Sequence, residues 1–211
     1  MEPKIGNALI AEFLGTFTLV FVGVAAVASA QGVVVAALAH GLILVGLIYS
    51  YRELSGANFN PAVTLGLLVG GKIPLPRALG YIVVQFLGGL VGAALGVVVT
   101  GGFGETTGSL TMTQIWNAAL FEAIMTFLLV TAVYQAAVYS SDGNLAGVAI
   151  GFTLGACILA GGTYTGASLN PARTLGPAIM AQQLDYVLPY LLGIFGGGAL
   201  AGVVHGYILR K

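Results

Sequence analysis

SGANFNPAVTLG at residues 55–66 and TGASLNPARTLG at residues 165–176 are two versions of one pattern, 110 positions apart. Asn is a favoured N-cap because its side-chain oxygen accepts from a first-turn N–H, and Pro suits the first helical position because it has no N–H to satisfy. Asn60-Pro61-Ala62 and Asn170-Pro171-Ala172 therefore predict two helix starts. The apolar runs that follow, Pro61 to Val69 and Pro171 to Met180, fall far short of the roughly 20 residues that cross a bilayer core. They are also too apolar for ordinary loops. Together these features predict re-entrant half-helices, which a membrane tolerates only where protein or a water-filled cavity surrounds them.

The same shift aligns Glu12 with Glu122, Thr16 with Thr126, Phe17 with Phe127, Val20 with Val130, Gly41 with Gly151, and Thr64-Leu65-Gly66 with Thr174-Leu175-Gly176. Ungapped agreement at so many unrelated positions is an internal duplication, with halves at approximately 1–105 and 111–211 of a single transmembrane domain covering 1–211. The composition agrees. Hydrophobic residues make up 58% of the 211 and charged residues 7%, with a mean hydropathy of +1.00; a soluble domain carries about 25% charged residues. Apolar runs at 7–30, 33–51, 79–100, 115–140, 145–161 and 187–209 give six candidate spans. Three spans per half is an odd number, so the second half crosses in the opposite sense. The result is an inverted repeat with a shared site near the midplane.

Inverted symmetry brings the two helix starts together, with small Ala62 and Ala172 permitting close approach. Two positive dipole ends then converge in mid-membrane, and Asn60 and Asn170 can each present an amide donor there. An occupant must accept hydrogen bonds and must not be a cation. A small neutral oxygen-bearing molecule fits, water above all, and donors at that point interrupt the chain along which a proton would hop.

Lys4, Arg52, Lys72, Arg77, Arg210 and Lys211 fall on one side of a six-span chain, and the opposite loops hold only Arg173. Basic residues concentrate in cytoplasmic loops, so both termini are expected in the cytoplasm, with the cell membrane as the bilayer. Ala28-Ser29-Ala30 resembles a signal-peptidase site, but Glu12 interrupts the apolar run before it and MEPK carries no net positive charge, so cleavage is not expected. Zero net charge offers nothing to nucleic acid.

Glu12 and Glu122 sit inside spans one and four, where a carboxylate is costly unless hydrogen-bonded. Both are expected to be structural, accepting backbone N–H groups of the half-helix loops, since no acid–base series accompanies them. Glycines 88, 92, 96 and 198, 202, 206 predict close helix approach, within or between subunits. Trp116, Tyr186 and His205 read as interfacial. The lone Cys157 excludes an internal disulfide and a cysteine-based metal site; it adjoins Ile158 and faces either the pore or away from it. GGFGETTG at 101–108 lacks the Gly-Lys-Ser/Thr of a phosphate loop and reads as an external loop. No metal set or nucleophile triad is present, so neither a cofactor nor an enzyme activity is expected.

The paired NPAVTLG and NPARTLGPA, with AEFLGTF near the start, resemble the aquaporin or major intrinsic protein family over essentially the whole chain. The resemblance implies an all-α membrane protein with six transmembrane helices and two half-helices. It further implies a pore in each subunit, a homotetramer, and passive conduction of water with exclusion of protons and ions. It also implies an extracellular constriction that includes Arg173 and, by spacing from the motifs, His40, Ile158 and Ala167. Strict water channels carry Phe and His at the first two of these positions. His40 and Ile158 instead look most like the tonoplast-intrinsic branch, whose wider filter passes water with ammonia, urea or similar neutrals. Ile158 and Ala167 should widen one wall while Arg173 and His40 supply donors on the other, and His40 could bring a pH dependence. Thr174 and Ala178 depart from the Asp and basic residue of glycerol channels, and Tyr190-Leu191 departs from the aromatic pair of water channels. The rival expectation is a facilitator mainly for ammonia, glycerol or urea; a pore-narrowed scaffold and an ion-coupled transporter are weaker ones.

Overall fold

The computed structural model describes residues 4–140 and 143–209. Met1 to Pro3 of the leader, and Arg210 and Lys211, two of the cations behind the expected orientation, lie outside the described residues. All regular structure among the described residues is helical. Helix α1 spans Ile5–Ala28, α2 Val33–Ser55, α3 Pro61–Val69 and α4 Leu75–Thr100; α5 (Ile115–Val133) follows a 3₁₀ turn at Met112–Gln114 and ends in a π turn at Tyr134–Val138. Then come α6 (Ala146–Thr165), α7 (Pro171–Ala181) and α8 (Val187–Val203), the last closed by a π turn at Val204–Ile208. Six of these are long and apolar enough to cross a bilayer, while α3 and α7 have only 9 and 11 residues.

The helices outrun the apolar stretches from which the spans were read. α2 continues through Arg52 and Glu53 to a left-handed glycine cap at Gly56, α6 runs on to Gly166, and α4 begins at Leu75, ahead of Arg77. Hydropathy falls where charges enter, but a helix stops only where its capping chemistry stops it.

Each repeat packs in the same way, α1 on α4 and α5 on α8, and α2 packs on α6 across the repeats. At that crossing a Cβ on Gly41 would lie 2.8 Å from the Gly151 carbonyl, and one on Gly151 would lie 2.6 Å from that of Gly41. The contact is reciprocal between equivalent residues, as a two-fold axis passing between them requires. The glycine-rich faces pack against other helices of the same chain. Gly88 and Gly92 seat on the backbone of Phe13 and Phe17 in α1, and Gly198, Gly202 and Gly206 seat on Ala62, Gly66 and Gly70 around α3.

Polarity runs opposite to that of a water-soluble protein. Leu38, Leu42, Leu87, Leu188 and Leu192 are exposed on the outer surface, whereas Glu12, Gln85, Glu122, Asn60 and Asn170 are buried. Trp116 is exposed, as an interfacial anchor would be, but two other assignments need correction. Tyr186 is buried edge-on against Tyr190 at 5.0 Å, and His205 is buried, bonded to Thr131 Oγ1 (2.9 Å) and Gln135 Nε2 (3.2 Å). His205 itself lies in the π turn at Val204–Ile208, whose register a 3.6-residue periodicity does not reveal.

Candidate functional site

Two carboxylates shape the loops that lead into the half-helices. Glu12 Oε1 accepts from Ser55 Oγ (2.6 Å) and the Asn58 N–H (2.9 Å), and its Oε2 accepts from the Phe59 N–H (2.7 Å) and Gln85 Nε2 (2.8 Å). Glu122 accepts from Thr165 Oγ1 (2.7 Å), the Ser168 N–H (3.0 Å) and the Leu169 N–H (2.8 Å). Both side chains are wholly buried, which is tolerable because donors fill their lone pairs. The loops so held contain left-handed residues that are not glycine: Ala57 (φ 57°), Phe59 (51°), Ala167 (45°) and Leu169 (53°). Each such residue costs about 1–3 kcal/mol and persists only when its surroundings enforce it. With these N–H groups turned to the carboxylates, carbonyls are what the backbone retains to offer a cavity.

Asn60 caps α3, accepting the Ala62 N–H on Oδ1 (2.9 Å), while its Nδ2 donates to the Leu169 carbonyl of the other repeat (2.8 Å). Asn170 mirrors it, with Oδ1 accepting from the N–H groups of Ala172 (3.0 Å) and Arg173 (3.4 Å) and Nδ2 donating to the Phe59 carbonyl (3.0 Å). An amide has two N–H donors. In each Asn one N–H fixes the opposite repeat and the other remains for the cavity that both residues line. Pro61 and Pro171 hold the first helical positions.

That cavity has a volume of about 550 Å³. It is lined by Arg52, Lys72 and Arg77, by an apolar wall that includes Leu44, Ile48, Leu129 and Ile150, by Asn60 and Asn170, and by His40 and Arg173. Ile158 and Ala167 are buried and are not among the residues that line it. Cys157 faces away: its Sγ points to the Met125 carbonyl (3.9 Å), and it lines a separate outward groove of about 560 Å³ between α5 and α6.

Arg173 is buried, donating through Nη1 to the Gly104 carbonyl (2.8 Å) and through Nε to His40 Nε2 (3.2 Å). His40 Nδ1 in turn meets the Ala36 carbonyl at 2.7 Å. A carbonyl only accepts and a guanidinium only donates. The ring is therefore neutral, with its proton on Nδ1 and a bare Nε2, so both ring nitrogens are occupied. The expectation that His40 supplies a donor to the pore is corrected: it is an acceptor for Arg173.

Sequence reasoning missed four contributors. Gly104 lies in the glycine-rich loop, where its φ of 61° and the lack of a side chain against Val24 bring its carbonyl to Arg173. Gln85 is a fourth donor to Glu12, and a polar residue within an otherwise apolar span was its only signal. Tyr81 and Tyr190 donate to the final carbonyls of α2 and α6, Ser55 O (2.9 Å) and Thr165 O (3.0 Å).

A sequence profile described as major intrinsic protein matches residues 2–205. The chain belongs to the major intrinsic protein family. Aquaporin TIP1-1 of Zea mays is 40% identical over 97% of this chain and 87% of its own length, and aquaporin TIP2-3 of Arabidopsis thaliana is 39% identical over 95% and 86%. The fold is shared with the crystallographic aquaglyceroporin from Plasmodium falciparum, at a TM-score of 0.81 and 24% identity over 98% of this chain and 97% of that one. As a major intrinsic protein the chain is a passive transmembrane channel and not an enzyme, embedded in the bilayer as a multi-pass protein.

Proposed function

We propose that residues 1–211 form one channel domain of two inverted repeats, conducting water and other small neutral solutes between Asn60 and Asn170 and past a filter of His40, Ile158, Ala167 and Arg173. One observation carries the reading: each Asn has its oxygen committed to its own helix and one N–H to the opposite repeat, so a donor remains on each side of the cavity. A water between them accepts from both and must point its own hydrogens outward, which breaks the proton wire. The N-terminal ends of α3 and α7 add a positive potential against cations. Arg173, cationic and lining the cavity beside His40, reinforces that barrier. The aliphatic Ile158 and the methyl of Ala167 impose little polar discrimination, which supports entry of solutes such as urea, ammonia or glycerol.

Stopped-flow light scattering of proteoliposomes tests this. Fast water flux of low activation energy, with urea or glycerol reswelling above the lipid background and no proton leak, is the expected result. Fast water flux without solute entry refutes the wide filter, and a proton current refutes the role of the asparagines.

The assembly we assign is a homotetramer. Two unlike apolar faces support it, the exposed Leu38 and Leu42 on α2 and the groove between α5 and α6, because unlike faces that meet head-to-tail form a ring when the rotation between copies closes, as it does about an axis along the membrane normal. Native mass spectrometry in detergent should give four copies; a monomer refutes the assignment. Both termini are assigned to the cytoplasm on the shared side of Arg52, Lys72 and Arg77. The cell membrane is the proposed bilayer, and fluorescence localisation to an internal membrane, where TIP relatives would point, overturns that choice.

A further inference from the structure

Gly23, on α1, belongs to neither repeated motif and stands beside the His40–Arg173 pair. A Cβ built on it would lie 2.3 Å from His40 Nε2, 3.0 Å from His40 Cε1 and 2.9 Å from Arg173 Nε. All three distances are inside van der Waals contact, and the first two involve a ring with little freedom to retreat. His40 is buried, and its Nδ1 is tied to Ala36 one turn earlier on its own helix. We propose that Gly23 is a specificity-determining positioning residue, whose bare backbone leaves the slot in which His40 accepts the Arg173 Nε–H.

The consequence lies with Arg173. Its guanidinium is held by Nη1 on Gly104 O and by Nε on His40 Nε2. Two holds at different atoms fix the plane of a rigid fork, whereas one hold leaves a hinge. A methyl at position 23 displaces the imidazole from Nε, and the guanidinium then swings about Gly104 into the pore, adding bulk and a free donor at the constriction. The effect falls hardest on solutes wider than water. The inference rests on reading His40 and Arg173 as the filter.

The test compares wild type, Gly23→Ala, His40→Ala, the double variant and Gly46→Ala in proteoliposomes, measuring water and urea permeability on each preparation. A Cβ on Gly46 meets nothing within 4 Å, so that variant controls for the loss of a helix glycine. Gly23→Ala should lower the urea-to-water ratio on the order of tenfold, the low end of what one misplaced methyl does in a discriminating site. In the His40→Ala background the ring contacts are gone, and most of that loss should vanish. An unchanged ratio in Gly23→Ala, or an equal fall in both backgrounds, overturns the proposal. A His40→Ala variant with a wild-type ratio overturns the filter reading itself, which separates the two failures. If Gly23→Ala alone does not insert, recovered insertion in the double variant supports the clash and its absence refutes it.

Discussion

Replacing Glu12 by glutamine keeps the side-chain shape and removes one acceptor oxygen. The new amide can leave its oxygen where Oε1 was, still serving Ser55 and Asn58, but its NH₂ then faces the Phe59 N–H donor to donor. Gln85 can turn its own oxygen to the new donor; the Phe59 backbone has no such freedom. One buried N–H is left without a partner, at a cost of about 1–3 kcal/mol, and for a chain of this size each kcal/mol lowers the thermal midpoint by roughly 2–4 °C. Phe59 also supplies the carbonyl that holds Asn170 (3.0 Å) in the other repeat. A change in the first repeat therefore loosens the asparagine of the second, and since about 1.4 kcal/mol is a tenfold shift in an equilibrium, water permeability should fall by up to about that factor. Scanning fluorimetry and stopped-flow shrinkage read the two effects separately. In an Asn170→Ala background the Glu12→Gln change should still lower the midpoint but no longer alter permeability. A variant that melts early yet conducts like wild type refutes the coupling through Phe59, and one with a wild-type midpoint refutes the carboxylate's role in the loop.

Ile158→His adds a ring and a polar edge at the constriction, so urea and glycerol reswelling should fall more than water flux; equal falls count against a filter role. Cys157→Ser should leave water and solute permeability unchanged, because the thiol faces the α5–α6 groove; a changed permeability places it on the conduction path. Gly202→Val introduces a Cβ 2.3 Å from the Gly66 carbonyl, an overpacking that costs about 1–3 kcal/mol or more. It should unseat α3 and lower folded yield, and normal yield with full permeability refutes the seating.

The sequence carried the membrane class, the six spans and both half-helices because long apolar runs and the Asn-Pro caps are local signals. Asn60 begins α3 and Asn170 begins α7 through bonds no more than three residues long. The carbonyl of Gly104 was not legible, since its value lies in meeting a guanidinium 69 positions away. Nor was the state of His40, which follows from two partners on different helices.

The subtler loss came from the ungapped comparison of the two halves. Tyr81 reaches the last carbonyl of α2 over a separation of 26, and Tyr190 reaches that of α6 over 25. One residue is missing before the final span of the second repeat. A constant shift therefore sets Gln85 against Phe195, while the tyrosine register sets it against Ile194, which is buried as Gln85 is. The glycines obey the tyrosine register: Gly89 lies on Ala172 and Gly198 on Ala62. Once the slip is corrected, the halves differ where the loops are anchored, with a polar donor at Gln85 and an aliphatic residue at Ile194. Glu12 thus gathers four donors and Glu122 three. The loop ending at Phe59 is the more firmly tied, and because its carbonyl fixes Asn170, the asparagine next to Arg173 is held by the stronger of the two anchors.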